Sequence, residues 1–211
     1  MTKSQNQTSV TILDLMDDPR FFARWFKGPT WNAWRVFLSA VFALTDRIDA
    51  DGMAIYRAAT GREIFPSAPV RRIDTCVGRR GGKSLIAALI AVYLAFFRDY
   101  SKYLVPGETA TVLCDAADRP QAHVVFRYIK AFIFGTPVLK AMVIRETREV
   151  IELSNSVTIE VHAASSKTGG RSDLTGPFCT SGSEREFTLE GSWYADQEIQ
   201  TGADRNAAAA G

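Results

Sequence analysis

The chain is poor in the residues that build metal centres and disulfide frameworks. It has two histidines, His123 and His162, and three cysteines, Cys76, Cys114 and Cys179, widely spaced and without a CxxC pair. An odd, unpaired set of cysteines argues against a disulfide framework and points to a reducing compartment. The missing ligand spacing argues equally against a zinc or His-based metal site. No apolar run is long enough to cross a membrane: the longest, from Leu85 to Phe97, falls short of the roughly 18 residues a span requires. It is expected as a buried helix. The opening MTKSQNQTSV has no apolar h-region, so no secretory signal is expected. A formal charge of +2 is too small to attract nucleic acid through bulk electrostatics, so any DNA contact needs a local cluster of Lys and Arg. No internal repeat is present, which removes solenoids and propellers.

What is there suits one α/β domain with a real core: 211 residues, 46% hydrophobic and 23% charged. Helical spacing predicts a first helix over 13–26. A second, capped by Thr30, carries an apolar stripe of Trp34, Phe37, Val41 and Leu44. A short helix is expected near 54–59, and Pro66 and Pro69 mark 63–69 as a connection. Arg72 to Val77 then alternates as a strand and runs through a Gly-rich turn into the long apolar helix. A second strand is expected over 109–114 and a helix over 120–134, with Pro120 in its first turn. Residues 149–153 and 157–162 read as a hairpin turning at Ser154-Asn155-Ser156. From Ser165 onward, Ser, Thr, Gly and charged residues dominate and encode little packing. Alternating strands and helices imply a mostly parallel sheet with one antiparallel addition. The expected organisation is a helical segment over 1–65 that packs on a core over 66–211.

The segment that carries chemistry is Gly78-Arg79-Arg80-Gly81-Gly82-Lys83-Ser84, between a predicted strand and a predicted helix. A phosphate cradle needs small residues so that successive backbone N–H groups can turn inward, and it gains from the positive end of the following helix. Gly81 and Gly82 supply that freedom. Lys83 is then placed to reach the β and γ phosphates of ATP, and the Ser84 hydroxyl to ligate Mg²⁺ bound to the same oxygens. The segment departs from G-x-x-x-x-G-K-[ST] at one place, where Val77 stands for the first Gly. The plain alternative is a Gly-rich turn with Lys83 and Ser84 as ordinary first-turn residues.

GRRGGKS resembles the deviant Walker A loop of tailed-bacteriophage large terminases, the motors that package DNA. The Trp-rich segment Thr30 to Arg35 is similar to the helix that precedes the ATPase core in one terminase subfamily. Asp115 to Phe126 resembles the segment after the family's second strand, and Gly170-Arg171 lies where a Gly/Arg loop is expected. The likeness covers roughly residues 20 to 205, the loop being its most specific part. It implies a P-loop NTPase fold of the RecA/ASCE type, with ATP and Mg²⁺ as cofactors and Arg79 or Arg80 acting in cis on the γ-phosphate. Either Arg, taken singly, is equally suited to a solvated or ion-paired surface role. By the same resemblance the partners are double-stranded viral DNA, the portal, the small terminase subunit and further copies in a ring on the portal, all in the host cytoplasm.

A motor of this kind also needs a Walker B strand ending in Asp-Glu, to orient Mg²⁺ and activate water. No such sequence exists here. The nearest alignment, Phe178 to Phe187, keeps Glu184 and Phe187 but puts Ser183 in place of Asp. Glu184 is thus either the water-activating carboxylate or a surface charge, and Asp173 or Glu186 are substitutes. Thr180, Ser181 and Gly182 weaken the strand, so hydrolysis is expected to be impaired while binding survives. Segments 195–199 and 203–206 still resemble the family's sequence downstream of Walker B. The family's coupling motif and nuclease domain lie beyond Gly211, so a fragment is expected. Two other readings stay open: another P-loop NTPase, helicase-like or kinase, and a catalytically dead nucleotide-binding assembly module. No Asn-Lys-x-Asp segment supports a GTPase, and no Arg-rich lid supports a nucleotide kinase.

Overall fold

The computed structural model describes residues 10–70, 72–78, 80–116, 119–163, 178–181 and 186–190. The chain divides into two units, with the boundary between Val70 and Arg71. This lies later than the expected boundary at 65/66, because the connection is tied back to the first unit. The Tyr56 hydroxyl donates to the Ile64 carbonyl at 3.2 Å, the Tyr56 and Phe65 rings meet edge to face, and the Val70 amide donates to Val41 at 3.0 Å.

The first unit is helical. Helix α1 (Ile12–Asp17) starts at a capping box, in which Thr11 Oγ1 accepts from the Asp14 amide and the Asp14 carboxylate accepts from the Thr11 amide. The helix expected over 13–26 ends at Asp17 instead. Asp18 is extended, the conformation forced on a residue before proline, here Pro19, and the chain goes on as turns that still bury Phe22 and Phe26. Thr30 is not the cap of the second helix. It lies inside a 3-10 turn, Pro29–Trp31, that leads into α2 (Asn32–Val41). The buried positions of α2 are Val36, Leu38, Ser39 and Val41. Trp34 and Phe37 are half-buried and pack on one another at 5.2 Å, and Leu44 lies past the helix end. Helix α3 (Ala50–Thr60) is longer than expected. Asp49 caps it by accepting from the Gly52 amide at 2.7 Å, and Gly61, left-handed at φ 67°, ends it.

The second unit is α/β. Its elements are β1 (Arg72–Cys76), α4 (Lys83–Phe97), β2 (Ala110–Ala116), α5 (Arg119–Phe134), α6 (Pro137–Lys140), β3 (Val143–Glu146), β4 (Val150–Leu153), β5 (Val157–Ala163), β6 (Phe178–Ser181) and β7 (Glu186–Glu190). They form one sheet in the order β1-β7-β6-β2-β5-β4-β3. β2 pairs in parallel with β5 and β6, while β1·β7, β6·β7, β4·β5 and β3·β4 are antiparallel. The sheet is therefore mixed, where a mostly parallel one was expected. Two short strands that were not expected, β3 and β7, account for the difference.

Helices α4 and α5 pack side by side, and both lie against β2 and β5. The alternate positions Ala110, Val112 and Cys114 pair with Val157, Ile159 and Val161, and all six are buried. The opposite face is mixed: Thr111, Glu160 and His162 are half-buried there, while Leu113 and Thr158 are buried. In α4 every residue from Ile86 to Phe96 is buried, and in α5 Ala122, Val125, Phe126, Ile129, Phe132 and Ile133 are. The expected hairpin forms between β4 and β5, with its left-handed residue at Ser156. Asn155 is used beyond the turn, since its Nδ2 donates to the Ala95 carbonyl at 2.8 Å, satisfying an acceptor near the C-terminus of α4.

Thr11→Ala is expected to lower unfolding free energy by about 1 kcal/mol, read from the urea midpoint. Burial pushes the Asp14 carboxyl up, but its bonds from Thr11 and the Arg47 guanidinium outweigh this and hold it below its ordinary 3.8. A lowered folded pKa gives stability that is present above the ordinary value and lost as pH falls through the folded one, so Asp14→Asn matters at neutral pH and not in strong acid. Asn155→Ala is expected to cost about 1 kcal/mol, because the Ala95 carbonyl loses a partner inside the fold.

Candidate functional site

The loop between β1 and α4 is built by local backbone constraints. The Gly81 amide donates to the Gly78 carbonyl at 3.1 Å, closing a turn over 78–81. Arg80 in that turn has φ 60°, left-handed for a residue with a Cβ. Gly82, also left-handed at φ 84° and ψ 4°, is the N-cap of α4, and its carbonyl accepts from the Leu85 and Ile86 amides at 3.0 and 3.1 Å. Left-handed residues thus flank Gly81 and immediately precede a helix of 15 residues. Such alternation turns consecutive N–H groups toward one side, and the helix adds the positive end of its dipole.

Gly81 has no room for a side chain. A Cβ there would come within 2.5 Å of Val77 Cγ1 and 3.0 Å of the Gly78 carbonyl oxygen. The departure from the general pattern at Val77 therefore has a structural counterpart, since the valine methyl occupies the space beside Gly81. Gly78 itself is open, with nothing near its hypothetical Cβ. Lys83 and Ser84 are the first two residues of α4, both half-buried, while Arg80 is exposed. Residue 79 lies outside the described residues, as do 170–171, 173, 183, 184, 195–199 and 203–206, so the positions named for Arg79 and Glu184 have no structural counterpart. Among the described residues no group of three or more His, Cys, Asp or Glu could hold a metal ion, and no helix is long and apolar enough to cross a membrane.

Strand direction places the loop in the sheet. β1 and β6 are each antiparallel to β7, so β1 runs in the same direction as β6, β2 and β5. The carboxyl ends of these four strands share one sheet edge: Ala116 is in register with Ala163 and with Ser181. The carboxyl edge of parallel strands is where α/β sheets bind ligands. Glu186, the first residue of β7, pairs in register with Cys76, the last residue of β1. Its backbone thus stands beside the strand end from which the Gly-rich loop departs. Sequence reasoning had Glu186 only as a substitute, because a strand that starts with a carboxylate leaves no apolar run ahead of it. The pairing is long-range, and no local signal marks it.

Gly81→Ala is expected to destabilise the chain by about 1–3 kcal/mol through overpacking. Val77→Ala in the same chain recovers part of that loss, because it removes the valine methyl but not the Gly78 oxygen. Denaturation midpoints of the two single variants and the double variant measure the coupling, and a purely additive result contradicts the contact. No protein-family model matches the chain, and no curated protein is similar enough to count as a relative.

Proposed function

We propose that this chain is a P-loop nucleotide-binding domain, most specifically the ATPase part of a tailed-phage large terminase. The observation that carries the reading is the backbone of Arg80-Gly81-Gly82 at the start of α4, followed by Lys83 and Ser84. The tight turn at Gly81 supports the reading: any side chain there would meet Val77 and the Gly78 oxygen, as expected of a loop whose backbone has to close on itself. Consecutive amides and the helix terminus attract polyphosphate oxygens, Lys83 adds a positive charge, and Ser84 adds a hydroxyl suited to Mg²⁺. Mg²⁺, held in part by the Ser84 hydroxyl, would supply neutralisation of phosphate charge. Arg80 is a candidate for stabilising charge on the γ-phosphate. The terminase assignment, with its DNA, portal and small-subunit partners, rests on sequence resemblance in the loop, the Trp-rich segment and Asp115 to Phe126.

A second reading, a nucleotide-binding module without turnover, is favoured by β6. This strand, Phe178-Cys179-Thr180-Ser181, has no carboxylate, and Ser183 stands where the aligned Walker B Asp is needed. Glu184 remains the water-activating candidate from sequence, and Glu186 gains support from its register with Cys76.

The two readings separate on one set of measurements. Lys83→Ala is expected to weaken Mg-ATP binding at least tenfold, about 1.4 kcal/mol, with the denaturation midpoint little changed. Unchanged affinity in that variant rejects the P-loop reading. Phosphate release by the wild type that is lost on Lys83→Ala rejects the inactive module, and binding with no release rejects the motor. Separately, Ser183→Asp is expected to raise Mg²⁺-dependent release if Ser183 occupies the Walker B position.

A further inference from the structure

The second unit leaves apolar side chains exposed mainly at one end of its sheet. Among the described residues its exposed large apolar side chains are Val105, Tyr128, Phe134, Val138 and Ile144. All but Val105 belong to three consecutive elements, α5, α6 and β3. Val138 and Ile144 are 64% and 69% exposed, too open to be the margin of the core. The three elements form one block: α5 packs on α6, while Lys130 of α5 pairs with Glu146 at the end of β3 and donates to the Thr147 carbonyl at 3.2 Å. The same stretch carries charge of one sign. From Pro120 to Arg145 there are four Lys or Arg and no Asp or Glu, in a chain whose net charge is only +2. Lys130 and Arg145 are matched by Glu146 and Glu152, which lie outside that stretch. Arg127, Lys140 and Arg148 are exposed and have no ion pair among the described residues. Lys140 precedes β3 and Arg148 follows it, so Ile144 is bracketed in sequence by unmatched positive charge.

We infer that α5, α6 and β3 present a docking surface for an acidic amphipathic helix of a partner protein. Two demands select that occupant. Val138 and Ile144 gain from contact with apolar side chains, and Arg127, Lys140 and Arg148 gain from carboxylates. Duplex nucleic acid meets only the second demand, since its backbone offers phosphates and no apolar side chains. A second copy of the chain, meeting this face with its own, brings like charges together. A partner strand is also disfavoured. β3 ends the sheet order, but it is four residues long and has a register shift between Val143 and Arg145, and short, bulged strands with charged residues guard an edge against strand addition. A helix needs no free edge, because it docks through apolar side chains at i, i+3, i+4 and i+7.

The test is fluorescence anisotropy on the whole chain at physiological salt, with a labelled synthetic helix that has Leu at i, i+3, i+4 and i+7 and Glu on its opposite face. The comparison probes are the same peptide with every Leu replaced by Ser, and a labelled DNA duplex. The amphipathic peptide is expected to bind about tenfold more tightly than its Ser analogue. Arg127→Glu combined with Lys140→Glu, and Val138→Ser combined with Ile144→Ser, are each expected to weaken it about tenfold. Lys102→Glu, at an exposed cation between α4 and β2, is expected to leave binding unchanged. Denaturation midpoints check that the variants fold, and Lys140→Glu or Ile144→Ser alone replaces a double variant that does not. Equal binding of the two peptides, an equal loss on Lys102→Glu, or no binding of the amphipathic peptide overturns the inference. Tighter binding of the duplex that is indifferent to Val138→Ser with Ile144→Ser overturns it in favour of nucleic acid, and a dimer in sedimentation that Ile144→Ser dissociates overturns it in favour of a second copy. No nucleotide enters the assay, and Lys83→Ala is expected to bind the peptide as the wild type does, so failure here is distinct from failure of the nucleotide reading.

Discussion

The close approach of Val77 to Gly81 is the constraint on which the rest of the site depends. With a valine methyl beside it and the Gly78 oxygen below, position 81 admits only hydrogen as a side chain, and the turn closed by the Gly81 amide results. Arg80 and Gly82 then take left-handed conformations on either side, and α4 starts at Lys83. Left-handed backbone at a residue with a Cβ costs of order 1 kcal/mol or more, and such strain concentrates where the surrounding structure imposes it. Here the loop is held from below by a helix that is buried from Ile86 to Phe96. Its start is thereby fixed by packing rather than by propensity.

The sheet contributes the second half of the arrangement. Four strands pointing the same way bring their carboxyl ends to one edge, and the chain leaves that edge through the Gly-rich loop after β1 and through the segments after β2, β5 and β6. An antiparallel β7 between β1 and β6 does not disturb this, because two reversals restore the direction. It does bring a carboxylate-bearing residue, Glu186, into register with the end of β1.

Much of this was legible in the sequence wherever the signal was local and strong. The apolar run to Phe97 gives a buried helix, the 120–134 periodicity gives α5, and Ser154-Asn155-Ser156 gives a hairpin, because each depends on side chains a few residues apart. The first helix was overextended because its apolar spacing continues past Asp18, while the conformational demand of Pro19 on the residue before it ends the helix there. Thr30 was misplaced because Pro29 suits the first position of a 3-10 turn as well as that of an α-helix. β3 and β7 are only four and five residues long, too short to stand out from their polar surroundings, and their long-range partners are not encoded locally, so the balance of parallel and antiparallel pairing was out of reach. In the site, the glycines and Lys83 stood out by residue type alone. The reason Val77 is tolerated did not, since it is a contact between residues four apart across a turn. The register of Glu186 with Cys76 and of Cys179 with Cys114 joins residues more than sixty positions apart, and sequence spacing says nothing about it.

The central claim is that the backbone from Val77 to the first turn of α4 receives polyphosphate. Amide hydrogen exchange on the intact chain, with and without Mg-ATP, reads that backbone directly. The account predicts slowed exchange in peptides covering Gly78 to Ile86, larger than at any other segment and absent with adenosine alone. Unchanged exchange across that stretch at saturating Mg-ATP, or protection centred elsewhere in the chain, contradicts it.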